Sequence, residues 1–186
     1  MKIYLVGSGC VGKTTIGKLL AEKMGYSFFD LDEEIEEYYH KPIERIQDDC
    51  CGMRKFREMG SQVLDLVLYR NGNAVIAATP AGLKFAYLQV YKKHKKKGEV
   101  FSIHIYDKPE NILNRITFYD NDFIPITVVL DELKKKLYLR EIICDYNHFK
   151  DSYNRADLQI DINGIKLEDI PDLIINRLND FKGIEE

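Results

Sequence analysis

The nine residues Gly7-Ser8-Gly9-Cys10-Val11-Gly12-Lys13-Thr14-Thr15 constrain this chain more than any other stretch. They follow a short apolar run, Ile3-Tyr4-Leu5-Val6. They precede Ile16, Leu19, Leu20 and Met24, which recur at a helical period. Strand, glycine-rich turn and helix form the setting in which G-x-x-x-x-G-K-[ST] works as a phosphate-binding loop. Glycines let the backbone curl into a nest of N–H groups that phosphate oxygens can approach closely. A helix starting at Gly12 directs its positive end into that nest. Lys13 is then expected to reach the β- and γ-phosphates, and Thr14 to offer a hydroxyl to Mg²⁺. The alternative is a glycine-rich turn that binds nothing. The full motif in its required setting points instead to a nucleoside triphosphate.

Bulk properties narrow the partners. A length of 186 residues suggests one domain, 1–186. A net charge of −3 gives no broad electrostatic drive toward nucleic acid. Met1-Lys2 leads straight into a strand, and no apolar run is long enough to span a bilayer, so a cytoplasmic, membrane-free protein is expected. Cys10, Cys50, Cys51 and Cys144 show no C-x-x-C spacing and read as free thiols rather than metal ligands or a disulfide framework. Cys10, set in the phosphate loop, admits an oxidation-sensing role beside the plainer one of a small loop residue.

Beyond the loop, residues 12–24 read as a helix capped by Gly25, and Tyr26-Ser27-Phe28-Phe29 as a strand ending at Asp30-Leu31-Asp32. An acidic helix is expected over 33–39. Asp30 and Asp32, two apart at a strand's carboxyl end, are expected to face the same way. That edge is where ligands bind in an open α/β sheet. Helix capping is the competing role for either aspartate. A short helix is expected over 42–49, a longer one over 53–69 carrying Arg57, and a buried strand over 74–78 that ends in Thr79-Pro80-Ala81-Gly82. Residues 83–97 read as a helix closing in a solvated lysine run. Residues 100–106 read as a strand whose His104 is packed rather than catalytic. Lys108-Pro109-Glu110 opens a helix with Arg115 near its end. The stretch 118–126, aromatic and polar with a proline, suits a mobile segment between two helices. Helix over 128–145, strand over 158–162 and helix over 167–178 close the chain. Five strands alternating with helices give a parallel sheet covered on both faces.

Several of these residues together resemble shikimate kinase: the loop, Phe29-Asp30-Leu31-Asp32 followed by acidic residues, Phe56-Arg57, and a buried strand ending in a tight turn. That family belongs to the nucleoside-monophosphate-kinase-like group of P-loop proteins. The resemblance implies a three-layer α/β/α fold with a five-stranded parallel sheet in the order 2-3-1-4-5. It also implies an acceptor-binding region at about 31–70 and a lid at about 117–127. By position, it implies that Gly7 through Thr15 cradle ATP and that Lys13 acts on its phosphates. Thr14 and Asp30 would serve Mg²⁺, Asp30 through water, and Arg115 would lie along the adenine. Asp32 would accept hydrogen bonds from the acceptor's hydroxyls and help deprotonate the attacking one, and Arg57 would pair with the acceptor's carboxylate. Thr79 and Ala81 would border that acceptor, and the enzyme would work as a monomer.

The chain departs from the family at four places. A triple glycine after the third strand is replaced by Thr79-Pro80-Ala81, and Pro80 has no N–H to donate. The lid's arginine before a proline is replaced at Ile124-Pro125. The family's second carboxylate-binding arginine, before the last strand, has no clean match among His148, Lys150, Arg140 and Arg155. A glutamate one turn after the first arginine is replaced by Gly60. The nucleotide half is thus intact and the acceptor half altered. Three functions fit: MgATP-dependent phosphorylation of a shikimate hydroxyl, the same chemistry on another small polar acceptor, or a nucleotide-binding regulator with little transfer activity.

Overall fold

The computed structural model describes residues 1–120 and 124–182. In chain order the elements are β1 (Lys2–Val6), α1 (Lys13–Met24), β2 (Ser27–Asp30), α2 (Leu31–Tyr39) and α3 (Ile43–Asp49). Next come α4 (Met53–Tyr69), β3 (Ala74–Ala77), α5 (Phe85–Lys95), β4 (Val100–Tyr106) and α6 (Pro109–Leu113). The chain continues with β5 (Phe118–Tyr119), β6 (Pro125–Ile126), α7 (Glu132–Tyr153), β7 (Leu158–Asp161) and, after a 3₁₀ turn at Leu167–Asp169, α8 (Ile170–Lys182).

The main sheet is parallel and ordered β2-β3-β1-β4-β7. Counted within that sheet alone, the order is the expected 2-3-1-4-5. Lys2 sits in register with Ala74 on one side and Val100 on the other, so β1 is central. All five β1 residues are buried, as a strand covered on both faces requires. Its alternation divides the core. Tyr4 and Val6 join Leu31, Ile35, Leu64 and Tyr87 beneath α2, α4 and α5. Ile3 and Leu5 join Ile16, Leu20, Ile160 and Ile174 beneath α1 and α8. Each fully buried side chain of this size contributes about 1.5–3 kcal/mol of apolar transfer. These two cores hold the carboxyl edge of the sheet, where the loops gather.

Three local expectations give way. Helix α2 begins at Leu31, so Asp32 lies in its first turn rather than at a strand end. Its direction is set by the helix, not by strand alternation. Helix α7 runs to Tyr153 instead of stopping near 145. Tyr146, Phe149 and Tyr153 continue a helical period that the polar residues between them obscure, and all three pack toward the core. The stretch expected to be a mobile segment between two helices contains a short antiparallel strand pair, Phe118 opposite Ile126 and Tyr119 opposite Pro125. Residues 121–123, part of the expected lid, lie outside the described residues.

Candidate active site

The loop between β1 and α1 is shaped by close approach. At Gly7 an added Cβ would sit 2.4 Å from the Ile105 carbonyl oxygen of β4, so no side chain fits. Gly12, at φ +104°, precedes α1 and supplies no capping side chain, and α1 has no acidic residue in its first turn. Its first N–H groups are therefore left for an anion. Cys10, exposed at φ +57°, completes the curve, and Val11 is buried beneath it. Lys13 folds back over the loop, its Nζ donating to the carbonyls of Gly7 at 3.0 Å and Ser8 at 2.8 Å. Burial lowers the Lys13 pKa to about 8, against the attraction of Asp32 and Asp30.

Asp30 connects this loop to the next element. Its Oδ2 accepts from the Thr14 hydroxyl at 2.6 Å, and its Oδ1 accepts from the Asp32 N–H at 3.0 Å, capping α2. Capping and a place beside the loop therefore coexist. Asp32 is half-buried, and burial pushes its pKa up to about 6. Asp30 and Glu36 add to that rise, and Lys13 opposes it.

Two cavities meet at Asp32. One, of about 480 Å³, is bordered by Gly9, Cys10, Gly12, Lys13, Thr14 and Thr15 of the loop region, by Asp30 and Asp32, and by Arg115. Arg115 donates to Asp107 at 2.5 Å and, more weakly, to the Val11 carbonyl at 3.5 Å, which holds it above the loop. The other cavity, of about 330 Å³, contains Asp32, Arg57, Thr79 and Ala81, with Ser8 and Gly9 at its inner end. Gly9, Asp32 and Pro80 border both. Every site residue expected from the sequence thus falls on one of these cavities or, in the case of Val11, directly beneath the loop, and Gly7 accepts the lysine's hydrogen bond.

The second cavity also holds residues that sequence reasoning missed. Tyr87 comes from α5, and Asp145, Phe149 and Tyr153 from α7. Their spacing of four, 145, 149 and 153, marks one helix face, a signal hidden by ending the helix too early. Thr79 Oγ1, Tyr87 OH and Tyr153 OH are buried without a hydrogen-bond partner among the described residues. Burial holds the phenols of Tyr87 and Tyr153 well above their ordinary pKa, so both remain protonated donors. His148, Lys150, Arg140 and Arg155 do not border the cavity, and Arg57 is its only Lys or Arg among the described residues. Ile124 is exposed just before β6, with no cation at that position. His104 is packed, as expected, between Tyr106 and Tyr153, with its Nδ1 on Gln159.

A phosphate-binding loop joined through one carboxylate to a small cavity with a cation in its wall defines a small-molecule kinase. Residues 9–175 match the family profile described as Shikimate kinase. The chain is 33% identical over 178 residues to the shikimate kinase of Thermosynechococcus vestitus, covering 95% of this chain and 86% of that one. It is 32% identical over 177 residues to that of Persephonella marina, covering 95% and 98%. The chain belongs to the shikimate kinase family. Its fold is shared by the solved shikimate kinase of Bacteroides thetaiotaomicron, at a TM-score of 0.77 and 20% identity over 96% of this chain and 98% of that one. It is shared too by the Acinetobacter baumannii enzyme solved in complex with shikimate, at 0.75 and 24% over 96% and 93%. Among the described residues no helix is long and apolar enough to cross a membrane.

Proposed function

We propose that the protein transfers the γ-phosphoryl group of ATP to a hydroxyl of shikimate, giving shikimate 3-phosphate and ADP. The observation that carries this reading is Asp32, which borders both cavities and has a pKa raised to about 6. A base with that pKa is largely ionised at neutral pH and still close enough to it to accept a proton.

The triphosphate tail lies in the loop from Gly7 to Thr15, held by N–H groups and by the amino end of α1. Lys13 exchanges its two carbonyl partners for β- and γ-phosphate oxygens. Arg115 flanks the base. Thr14 and Asp30 present hard oxygens at the loop's edge, which suits Mg²⁺, an ion usually held by one or two protein oxygens plus phosphates and water. When bound, the ion neutralises phosphate charge.

Arg57 takes the acceptor's carboxylate, bidentately if its plane is free. Thr79, Ala81 and the unpartnered hydroxyls of Tyr87 and Tyr153 line the acceptor's sides. The acceptor oxygen attacks the γ-phosphorus, the bond from that phosphorus to the bridging oxygen of ADP breaks, and the hydroxyl proton passes to Asp32. Such transfer is mainly positioning and charge stabilisation.

A second reading keeps the chemistry and changes the acceptor. Asp145 adds a second carboxylate to the cavity wall, and among the described residues no second Lys or Arg borders it. That arrangement suits a hydroxylated acid that also carries a cationic or donor-rich group. ATP consumption with shikimate, then with a panel of hydroxylated carboxylic acids, separates the two. Turnover on shikimate at an ordinary enzymatic rate supports the first, and turnover only on another acid supports the second.

A further inference from the structure

Arg57 is the only Lys or Arg of the acceptor cavity among the described residues, and Glu58, next to it in the chain, pairs with Arg54. A carboxylate three residues along α4 would reach its guanidinium. That position is Gly60, and it is closed. A Cβ at Gly60 would lie 2.1 Å from the Tyr87 hydroxyl and 2.9 Å from Ile35 Cδ1. The neutral Tyr87 hydroxyl fills the space an acidic side chain would need.

What touches Arg57 instead is Phe85, the first residue of α5. The guanidinium carbon lies 4.4 Å from the centre of the Phe85 ring. Phe85 is held at φ +55°, in the left-handed region. For a bulky residue that conformation is an outlier, and it persists only where surroundings impose it. Core packing does not explain it, since Phe85 is 46% exposed. The other two non-glycine residues with positive φ among those described are Cys10 of the phosphate loop and His40, which ends α2.

We propose that Phe85 is a positioning residue for the acceptor. Its strained backbone presents a ring to the Arg57 guanidinium, with Lys84 Nζ 5.0 Å from the centre of the same ring, and so fixes that arginine in place of a carboxylate partner. The substitution has a chemical consequence. A carboxylate would occupy one edge of the guanidinium and neutralise its charge. A ring attracts the cation through its face and leaves the in-plane N–H donors open. A cavity with a single cation needs that cation's charge and both its edges for the acceptor's carboxylate. This inference rests on the reading of Arg57 as the carboxylate-binding residue.

The test uses three variants of the full chain, F85G, F85L and F85Y, assayed at saturating MgATP with shikimate. Glycine accepts φ +55° without strain, so F85G is expected to melt no lower than wild type. It should nevertheless raise the acceptor KM roughly 3- to 10-fold, the scale of one exposed-to-partly-buried cation–π contact. F85L keeps bulk and strain but loses the ring, and should raise the acceptor KM similarly. F85Y restores a ring and should bring that KM back to within about twofold of wild type on the same scale. The KM for ATP should move in none of them. A merely structural role would lower melting temperature and shift both KM values together. An acceptor KM in F85G and F85L within about twofold of wild type overturns the platform, against the expected contact strength, and leaves the acceptor reading standing. If wild type phosphorylates a different hydroxylated acid and not shikimate, the shikimate reading fails, and the same ratios measured on that acid decide the platform. If wild type phosphorylates no hydroxylated acid, both fall.

Discussion

The two cavities that share Asp32 are built in opposite ways. On the nucleotide side the N–H groups at the start of α1 are open, but the side chains are already paired: Lys13 with two loop carbonyls, Thr14 with Asp30, and Asp30 with the Asp32 N–H. On the acceptor side they are not. Among the described residues three hydroxyls are buried short of hydrogen-bond geometry, Tyr87 lying beside Thr79 and Tyr153 beside Ser8, and Arg57 meets the Phe85 ring. A nucleotide cradle that keeps its own hydrogen bonds can hold its shape before any ligand arrives, because exchange of partners costs little. Buried hydroxyls with no partner cost about 1–3 kcal/mol each unless a ligand or water satisfies them. The acceptor side is therefore where binding energy remains to be gained, and where substrate identity is decided.

Four substitutions sharpen or break this contrast. Lys13→Ala should have the largest effect, a loss of transfer of roughly 10³- to 10⁵-fold, since it removes the cation nearest the transferring group. Retained ATP consumption would put the chemistry outside the loop. Asp32→Asn, at the junction, should lower kcat by at least about 10²-fold. It should also stabilise the protein. Asp32 has a folded pKa of about 6, raised from the ordinary aspartate value of 3.8, so its ionisation opposes folding. That penalty is absent below pH 4, grows as pH rises to 6 and is constant above. At pH 7 its removal is worth about 1–3 kcal/mol. A thermal melt of the variant that gains nothing at pH 7 would show that Asp32 is well solvated. Arg57→Ala should act only on the acceptor side, raising the acceptor's KM roughly 10- to 100-fold, as loss of a charged hydrogen-bonded pair does. The ATP KM should be unmoved. Comparable rises in both would erase the distinction between the cavities. Gly60→Ala should have the smallest effect, a destabilisation of about 1–3 kcal/mol from overpacking against Tyr87, read as a lower melting temperature.

How far the sequence could be read follows the same division. The loop, α1 and Asp30 are close in the chain, and their chemistry depends on backbone turns and short spacing. Gly7, Gly12, Lys13 and Thr14 announce it directly. The parallel strands were also accessible, because the buried runs at β1, β3 and β4 are each bounded by clear turns, while their order came through the resemblance. The acceptor cavity draws on α2, α4, α5, the turn after β3 and α7, from Asp32 to Tyr153. Asp32 and Arg57 were recognisable through resemblance. Tyr87 was not, because its relevance comes from filling the space beside Gly60, a relation only three-dimensional packing exposes. Asp145, Phe149 and Tyr153 carry a helical spacing, but a polar, aromatic composition masked it. Phe85 gives no hint in the sequence: a left-handed phenylalanine looks like any other until the backbone is built.

The most direct test of a carboxylate shared by two cavities is the pH dependence of kcat/KM for wild-type protein on shikimate, from pH 4.5 to 8 at fixed ionic strength. The profile should rise through an apparent pKa near 6 as Asp32 ionises and then level off. A profile that is flat across this range, or one whose rise at pH 6 survives in Asp32→Asn, would contradict the assignment of Asp32 as the proton acceptor.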